Sequence, residues 1–384
     1  MWLIFFFLPC FLCANWADET LSQMTLEEKV GQLFVAPACP MREKDHWEDW
    51  LQLFSTCRIG NVLVKQADVP SQIRFLTALQ QEAKYPLLVA ADFEWGLAMT
   101  MKGEMAFPRN EVLGAKGDAA LIFAIGREIG RQAPLVGVHL NLAPVADVNN
   151  NPENRVIGTR SFGSDPHLVA RDTLAYLQGV QSSGLLACAK HFPGHGDTNV
   201  DSHRALPCIP HSKERLDQVE LVPFRQAIAG GVAAVMTGHL LVPCVDPHWP
   251  ATLSFSWVTG FLRGEMGFDG LIVTDALNME ALTLAHTPED IALLAHQAGC
   301  DLLLYGAHLS EKVDALMREQ IPRAYRALLM AYQEGRLDEK RLNQSVLRIL
   351  QAKERVGLAL SREIPPGDLH TEEAEALLRS CTAF

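Results

Sequence analysis

The sequence predicts a single (β/α)8 barrel of the TIM type, and three observations predict it. Short apolar runs recur eight times along the chain. Segments of helical periodicity separate most of them. Polar side chains able to do chemistry stand at the C-terminal ends of the runs. Continuous apolar strands alternating with helices read as a parallel sheet covered on both faces. Eight units over roughly 280 residues suit a closed barrel, which builds its active site at the C-terminal ends of its strands. An open doubly wound sheet is the alternative arrangement.

The elements follow in order. The opening MWLIFFFLPCFLCANWADET carries an apolar stretch from Trp2 to Cys13. It is too short to span a bilayer. With small residues behind it, residues 1–17 read as a secretory signal, although Lys29 is the first basic side chain. Export is therefore expected, and Cys10 and Cys13 leave a lipid anchor open. The barrel domain is assigned to 18–360. Its strands are VGQLFVAP, RIGNVLVK, YPLLVAADFE, GVHLNLAPVADVN, GLLACAKHFPGHG, VAAVMTGHL, GLIVTDAL and CDLLLYG. Helical periodicity marks Gln72–Tyr85, Pro166–Gly184, Leu216–Gly231 and Pro288–Gly299. After residue 360 the alternation stops, and 361–384 reads as a turn and one amphipathic helix.

A net charge of -12 argues against a phosphate-backbone binder, which needs a basic face. Behind the leading segment stand Cys39, Cys57, Cys188, Cys208, Cys244, Cys300 and Cys381, with no CxxC pair. An odd number of thiols and no spacing pattern give no disulfide framework. Buried free thiols are the simple reading.

The fifth run leads into KHFPGHGDTNVDSH, Lys190 to His203. His191 and His195 are four apart, the spacing of two metal ligands on a helix face. With His203 or Asp201 they could hold an ion. Pro193, Gly194 and Gly196 speak against a helix there. Polar loop residues satisfying one another are a second reading. Proton transfer is the third. Asp201 and His203 are two apart, and in an extended segment such residues share a side. The carboxylate would fix the imidazole tautomer and raise its basicity. Asp275, just past the seventh run, would be the partner at the reacting carbon. Its plainer reading is a cap for the helix that follows. A nucleophilic carboxylate with an oriented acid/base suits a retaining glycosidase.

KHFPGHGDTNVDSH, with PATLSFSWVTGFLRGEMGFDGLIVTDALNM downstream, resembles glycoside hydrolase family 3, and within it the single-domain β-N-acetylglucosaminidases. The resemblance runs from LEEKVGQLF to the last strand. It implies Asp275 as nucleophile, His203 as general acid/base and Asp201 as its orienting carboxylate. It implies sugar contacts for Lys190, His191, Asp92 (in ADFEWG) and Arg160 (in VIGTRSFG). Arg160 could instead pair with Asp165 at the surface. His195 is read as structural, and His239 as a mouth residue that could shape the site. No metal and no organic cofactor is implied. The expected ligand is a small carbohydrate or muropeptide, with no nucleic acid and no stable membrane span, and the expected state is a monomer.

Two departures stand out. Family members often carry an arginine eight residues after the aspartate matching Asp92, and here that place is Thr100, with Lys102 nearby. A threonine makes no forked charged contact. Many family β-glucosidases also carry a second domain that can supply a glutamate acid. HTEEAEALLRSCTAF resembles its lead-in, and the expectation is that the Asp–His loop supplies the proton here. A neutral histidine does not repel anions, so some phosphorolysis is conceivable beside hydrolysis. The rival readings are another β-glycosidase such as a β-glucosidase, a metal-dependent barrel hydrolase using His191, His195 and His203, and an inactive sugar-binding protein.

Overall fold

The computed structural model describes residues 16–42, 44–198, 202, 205–306 and 313–382. The apolar stretch read as a signal, with Cys10 and Cys13, lies outside the described residues, and so do Asp201 and His203.

Eight strands form one sheet: β1 Phe34–Ala38, β2 Asn61–Val64, β3 Leu88–Ala91, β4 Leu140–Asn141, β5 Leu186–Phe192, β6 Ala234–Thr237, β7 Leu271–Thr274 and β8 Leu303–Leu304. Every pairing is parallel, in the order β7-β6-β5-β4-β3-β2-β1-β8. Main-chain bonds from Thr274 N to Leu302 O (2.9 Å) and from Leu277 N to Leu304 O (2.9 Å) bring β7 against β8. The barrel predicted from the alternation is the fold observed, and the open sheet is excluded. Every strand residue is buried, as a sheet with both faces covered requires.

Short polar signals place the helices. Thr25 and Glu28 form a reciprocal capping box before Leu26–Gln32. Asp68 accepts from Ser71 N before Val69–Glu82. Asp165 accepts from His167 N and Leu168 N, with Pro166 in the first turn of Pro166–Ser182. Thr287 caps Pro288–Ala298. The helix Ala119–Leu135 crosses Pro166–Ser182 closely enough that a Cβ on Gly126 would lie 2.4 Å from Tyr176 O. The helix Glu372–Thr382 packs near it, and Arg131 Nη1 donates to Asp368 O at 2.7 Å.

Two elements differ from the sequence expectation. The helix predicted over Leu216–Gly231 is two helices, Lys213–Gln218 and Val222–Ala229. Between them Glu220 turns inward, buried, and takes both carboxylate bonds of Arg215 at 2.9 and 3.0 Å. The fourth strand is short, Leu140–Asn141, and beyond it single main-chain bonds continue along β5, from Cys188 N to Ala143 O at 2.9 Å, from Lys190 N to Pro144 O at 3.1 Å and from Ala146 N to Lys190 O at 2.7 Å. Cys39, Cys57, Cys188, Cys300 and Cys381 are buried free thiols, and Cys208 and Cys244 are free and exposed.

Candidate active site

Asp92, Phe93 and Glu94 leave the end of β3. Phe93 is fully buried. Its N–H donates to Asn141 Oδ1 at 3.0 Å, and its carbonyl accepts from the Tyr176 hydroxyl at 2.7 Å. With that residue locked inward, Asp92 and Glu94 both reach the mouth, as alternate positions of an extended segment do. Asp92 Oδ1 accepts from Lys190 Nζ at 2.8 Å, and Oδ2 accepts from Lys65 Nζ. Glu94 Oε1 accepts from Lys190 Nζ at 2.9 Å and from Arg160 Nη2 at 2.7 Å, while Oε2 takes Arg160 Nε at 3.0 Å.

The result is a row of alternating charge, Lys65, Asp92, Lys190, Glu94 and Arg160, with one positive charge in excess. Burial alone would push both carboxylates up. Lys190 and Lys65 more than reverse this at Asp92, holding it well below the usual carboxylate range. Arg160 and Lys190 bring Glu94 down to about 2. Burial works against the charge of Lys190 as well, and Asp92 and Glu94 overcome it. Asp92, Glu94, Lys190 and Arg160 therefore stay ionised at neutral pH.

Asp147, after β4, is fully buried. It accepts from His195 N at 2.7 Å and from His191 N at 3.2 Å, and its Oδ2 lies 2.8 Å from His191 Nδ1. The register shifts between Lys190 and Phe192, so two consecutive residues of β5, Lys190 and His191, both line the cavity. Phe192 packs instead on Phe224 and Trp257. Gly196 lets the following loop press onto the β4 loop: a Cβ there would lie 1.7 Å from Val148 O. Asp275 follows β7. Its N–H donates to Thr237 O at 3.0 Å, and its Oδ1 accepts from Ala276 N at 2.7 Å.

Lys65, Asp92, Glu94, Arg160, Lys190, His191 and Asp275 line one cavity of about 280 Å³, together with His195, Ser202, Trp95, Met99 and Met236. Asp92, Arg160, Lys190, His191 and Asp275, singled out from sequence, all lie on it. A larger hollow of about 670 Å³ lies at the other end of the barrel, where Glu28, Lys84 and Tyr85 pair among themselves. It carries none of the strand-end residues.

Several alternative readings are overturned. Asp275 does not cap the next helix, whose N-cap is Met279. Arg160 does not pair with Asp165, which caps its own helix. Lys102 is exposed and does not line the cavity, and Thr100 Oγ1 is buried with no partner among the described residues. The cation at that edge is Lys65, which ends the RIGNVLVK run and which the rule of polar strand ends would have flagged. His239 is buried 3.0 Å from Thr252 Oγ1 and 3.0 Å from Ala276 O. It joins the β6 and β7 loops rather than lining the cavity.

A metal held by His191 and His195 does not suit the described atoms. Both His195 nitrogens face hydroxyls, Ser202 Oγ at 3.2 Å and Thr198 Oγ1 at 2.9 Å, so that ring has no nitrogen without a partner. Among the described residues, the ligand-type cluster is Asp197, His211 and Glu220, whose carboxylates already face Arg215.

Residues 25–352 match the family described as glycosyl hydrolase family 3 N terminal domain. The chain belongs to glycosyl hydrolase family 3. This family 3 chain is 33% identical over 366 residues to the beta-hexosaminidase A of Pseudoalteromonas piscicida, covering 86% of its own length and 60% of the relative's. It is 30% identical over 360 residues to a beta-N-acetylglucosaminidase/beta-glucosidase of Cellulomonas fimi, covering 91% and 61%. The chain thus spans about three fifths of both. Its fold superimposes on a family 3 beta-N-acetylglucosaminidase from Paenibacillus sp. FPU-7 with a TM-score of 0.85 at 39% identity, covering 93% of this chain and 68% of that one.

Proposed function

We propose that the chain is a retaining exo-β-N-acetylglucosaminidase that removes terminal β-linked N-acetylglucosamine, with peptidoglycan fragments met after export as the natural substrate. The observation that carries the reading is Asp275 sharing one cavity with the row Lys65, Asp92, Lys190, Glu94 and Arg160. The cavity is smaller than the ~300–1,000 Å³ of sites for drug-sized ligands, which favours a single terminal sugar. Fixed charges on one wall would hydrogen-bond its hydroxyls. The names of the relatives support the acetamido sugar over glucose, although one of them includes both.

In the first step an oxygen of Asp275 bonds to the anomeric carbon. The glycosidic bond breaks, and its oxygen takes a proton from the His203 imidazolium oriented by Asp201. In the second step His203, now neutral, takes a proton from water. That oxygen attacks the anomeric carbon and displaces Asp275. Asp92, Arg160, Lys190 and His191 hold the sugar, and no metal enters.

One observation favours a second assignment of the acid. Among the described residues, His191 lines the cavity and pairs behind it with the buried Asp147, Nδ1 to Oδ2 at 2.8 Å. His191→Ala and His203→Ala separate the two, since loss of the acid is felt most by substrates with poor leaving groups.

The test is the initial rate on p-nitrophenyl β-N-acetylglucosaminide and on the β-glucoside, with and without EDTA. Turnover of the acetamido sugar that survives chelator and drops at least about 10³-fold in Asp275→Ala is expected, because the nucleophile is lost. Preference for the glucoside would move the assignment to β-glucosidase. Loss with EDTA alone would sink the metal-free mechanism. Product analysis in phosphate buffer separates hydrolysis from phosphorolysis.

A further inference from the structure

Three apolar residues of the cavity wall are partly exposed: Trp95, Met99 and Val156. The other apolar residues on that wall, Leu63, Leu142, Met236 and Leu304, are buried. Exposure thus divides the cavity into a deep part and a rim, and the rim carries an indole. Trp50 and Trp257 are fully buried, as tryptophans that only pack against a core are. Trp95 instead stands beside water, one residue after the buried Glu94 of the charged row.

Local structure fixes this ring. Trp95 O accepts from Phe107 N at 2.9 Å. The next residue, Gly96, has a φ of +99°, and a Cβ there would lie 2.9 Å from Met105 O, so the chain turns tightly against the segment that leads to Phe107. Arg109, two residues beyond Phe107, lays its guanidinium over the indole, with Cζ 3.4 Å from the ring centroid. Arg109 is the N-cap residue of the helix Asn110–Lys116, and the neighbouring Asn110 Nδ2 donates to Arg160 O at 2.7 Å. The segment that clamps the indole is therefore tied to the segment that supplies Arg160 to the row. Arg109 covers one face of the indole and is not on the cavity, whereas the indole is. The cavity meets the part of the ring that the guanidinium leaves open.

A pyranose shows C–H bonds on its faces and hydroxyls around its edge. Charges suit the hydroxyls. An aromatic face, negative at its centre, suits the C–H hydrogens. The terminal sugar takes the deep part with its row of charges, and the leaving sugar meets the rim. We propose that Trp95, clamped by Arg109, is the platform on which the leaving sugar stacks, so that the site prefers a sugar to a small leaving group. Trp95 is then a specificity-determining residue, and Arg109 is a positioning residue that acts through it. This rests on the cavity taking a terminal N-acetylglucosamine, as proposed above.

The test is kcat/KM on two compounds that share the terminal sugar. One is N,N′-diacetylchitobiose, whose leaving group is a second sugar. The other is the β-fluoride of N-acetylglucosamine, whose leaving group is fluoride. This ratio compares free enzyme and substrate with the transition state of bond cleavage, so the later release of the sugar from Asp275, common to both, does not enter. Trp95→Ala is expected to lower it about 10-fold or more on the disaccharide and much less on the fluoride. Trp95→Phe, which keeps an aromatic face, should recover part of the loss. Arg109→Ala, at an exposed position, is the independent arm should Trp95→Ala fold poorly. It should cost about 2–5-fold on the disaccharide, again with little effect on the fluoride. Equal falls on both compounds would place Trp95 at the terminal sugar or in the fold, and no fall on either would remove it from binding; both results overturn the platform. If the wild type cleaves both compounds and the variants show no contrast, the platform alone is lost. If the wild type cleaves neither, the N-acetylglucosaminidase reading fails and the platform goes with it.

Discussion

Lys65 donates to Asp92 from the neighbouring strand, and with Lys190 it leaves neither carboxylate oxygen of Asp92 without a cation. Replacing it by methionine keeps the stem and removes the charge. Asp92 would keep Lys190, but the excess positive charge of the row would be gone. Lys65→Met is expected to lower kcat/KM on the p-nitrophenyl substrate by about 10–100-fold, the worth of a hydrogen bond to a charged group, with KM rising more than kcat falls. Unchanged KM would remove Lys65 from sugar binding. Lys190, His191, Asp92 and Arg160 were legible because each sits in a motif or ends an apolar run. The contacts of Asp147 and Glu94 were not. Their partners are 44 and 66 residues away in the chain, and no local pattern connects them.

The helix Pro166–Ser182 shows what an element owes to its first turn. Asp165 accepts two N–H bonds there, which leaves Arg160 to fork onto Glu94. Asp165→Ala should therefore cost about 1 kcal/mol of stability in urea unfolding, the usual worth of an N-cap, and leave KM unaltered. A change in KM would mean that Arg160 draws on Asp165 after all. Strands were legible as whole elements, because burial on both faces writes a continuous apolar run. The division of Leu216–Gly231 into two helices was not. Periodicity reports one face of a helix and carries no sign that Glu220 must turn in to meet Arg215.

Across the molecule, His46, His195 and His296 are buried, and burial brings their pKa values down to about 4, 4 and 3. Unfolded histidines bind protons below about pH 6.5, so between roughly pH 6.5 and 4 the unfolded chain binds more protons than the folded one. Stability is then present above pH 6.5 and lost as pH falls, by up to about 1.4 kcal/mol per pH unit for each histidine. Urea midpoints at pH 7, 6 and 5 should drop accordingly, and His46→Gln, which keeps an acceptor for Cys39 N, should flatten the slope by about one proton. An unchanged slope in that variant would mean that His46 does not resist protonation. None of the described helices is long and apolar enough to cross a membrane. The sequence by itself determined the barrel, through the alternation of apolar runs with amphipathic segments, and it determined which residues stand at the strand ends, because those are local properties of the chain. Only the tertiary structure decided who meets whom. Closing the barrel gathers the ends of β2, β3 and β5 around one mouth, and in that low-dielectric mouth each buried charge must find an opposite one. That is why Lys65 faces Asp92, Arg160 forks onto Glu94, and Asp147 gathers both His191 and His195.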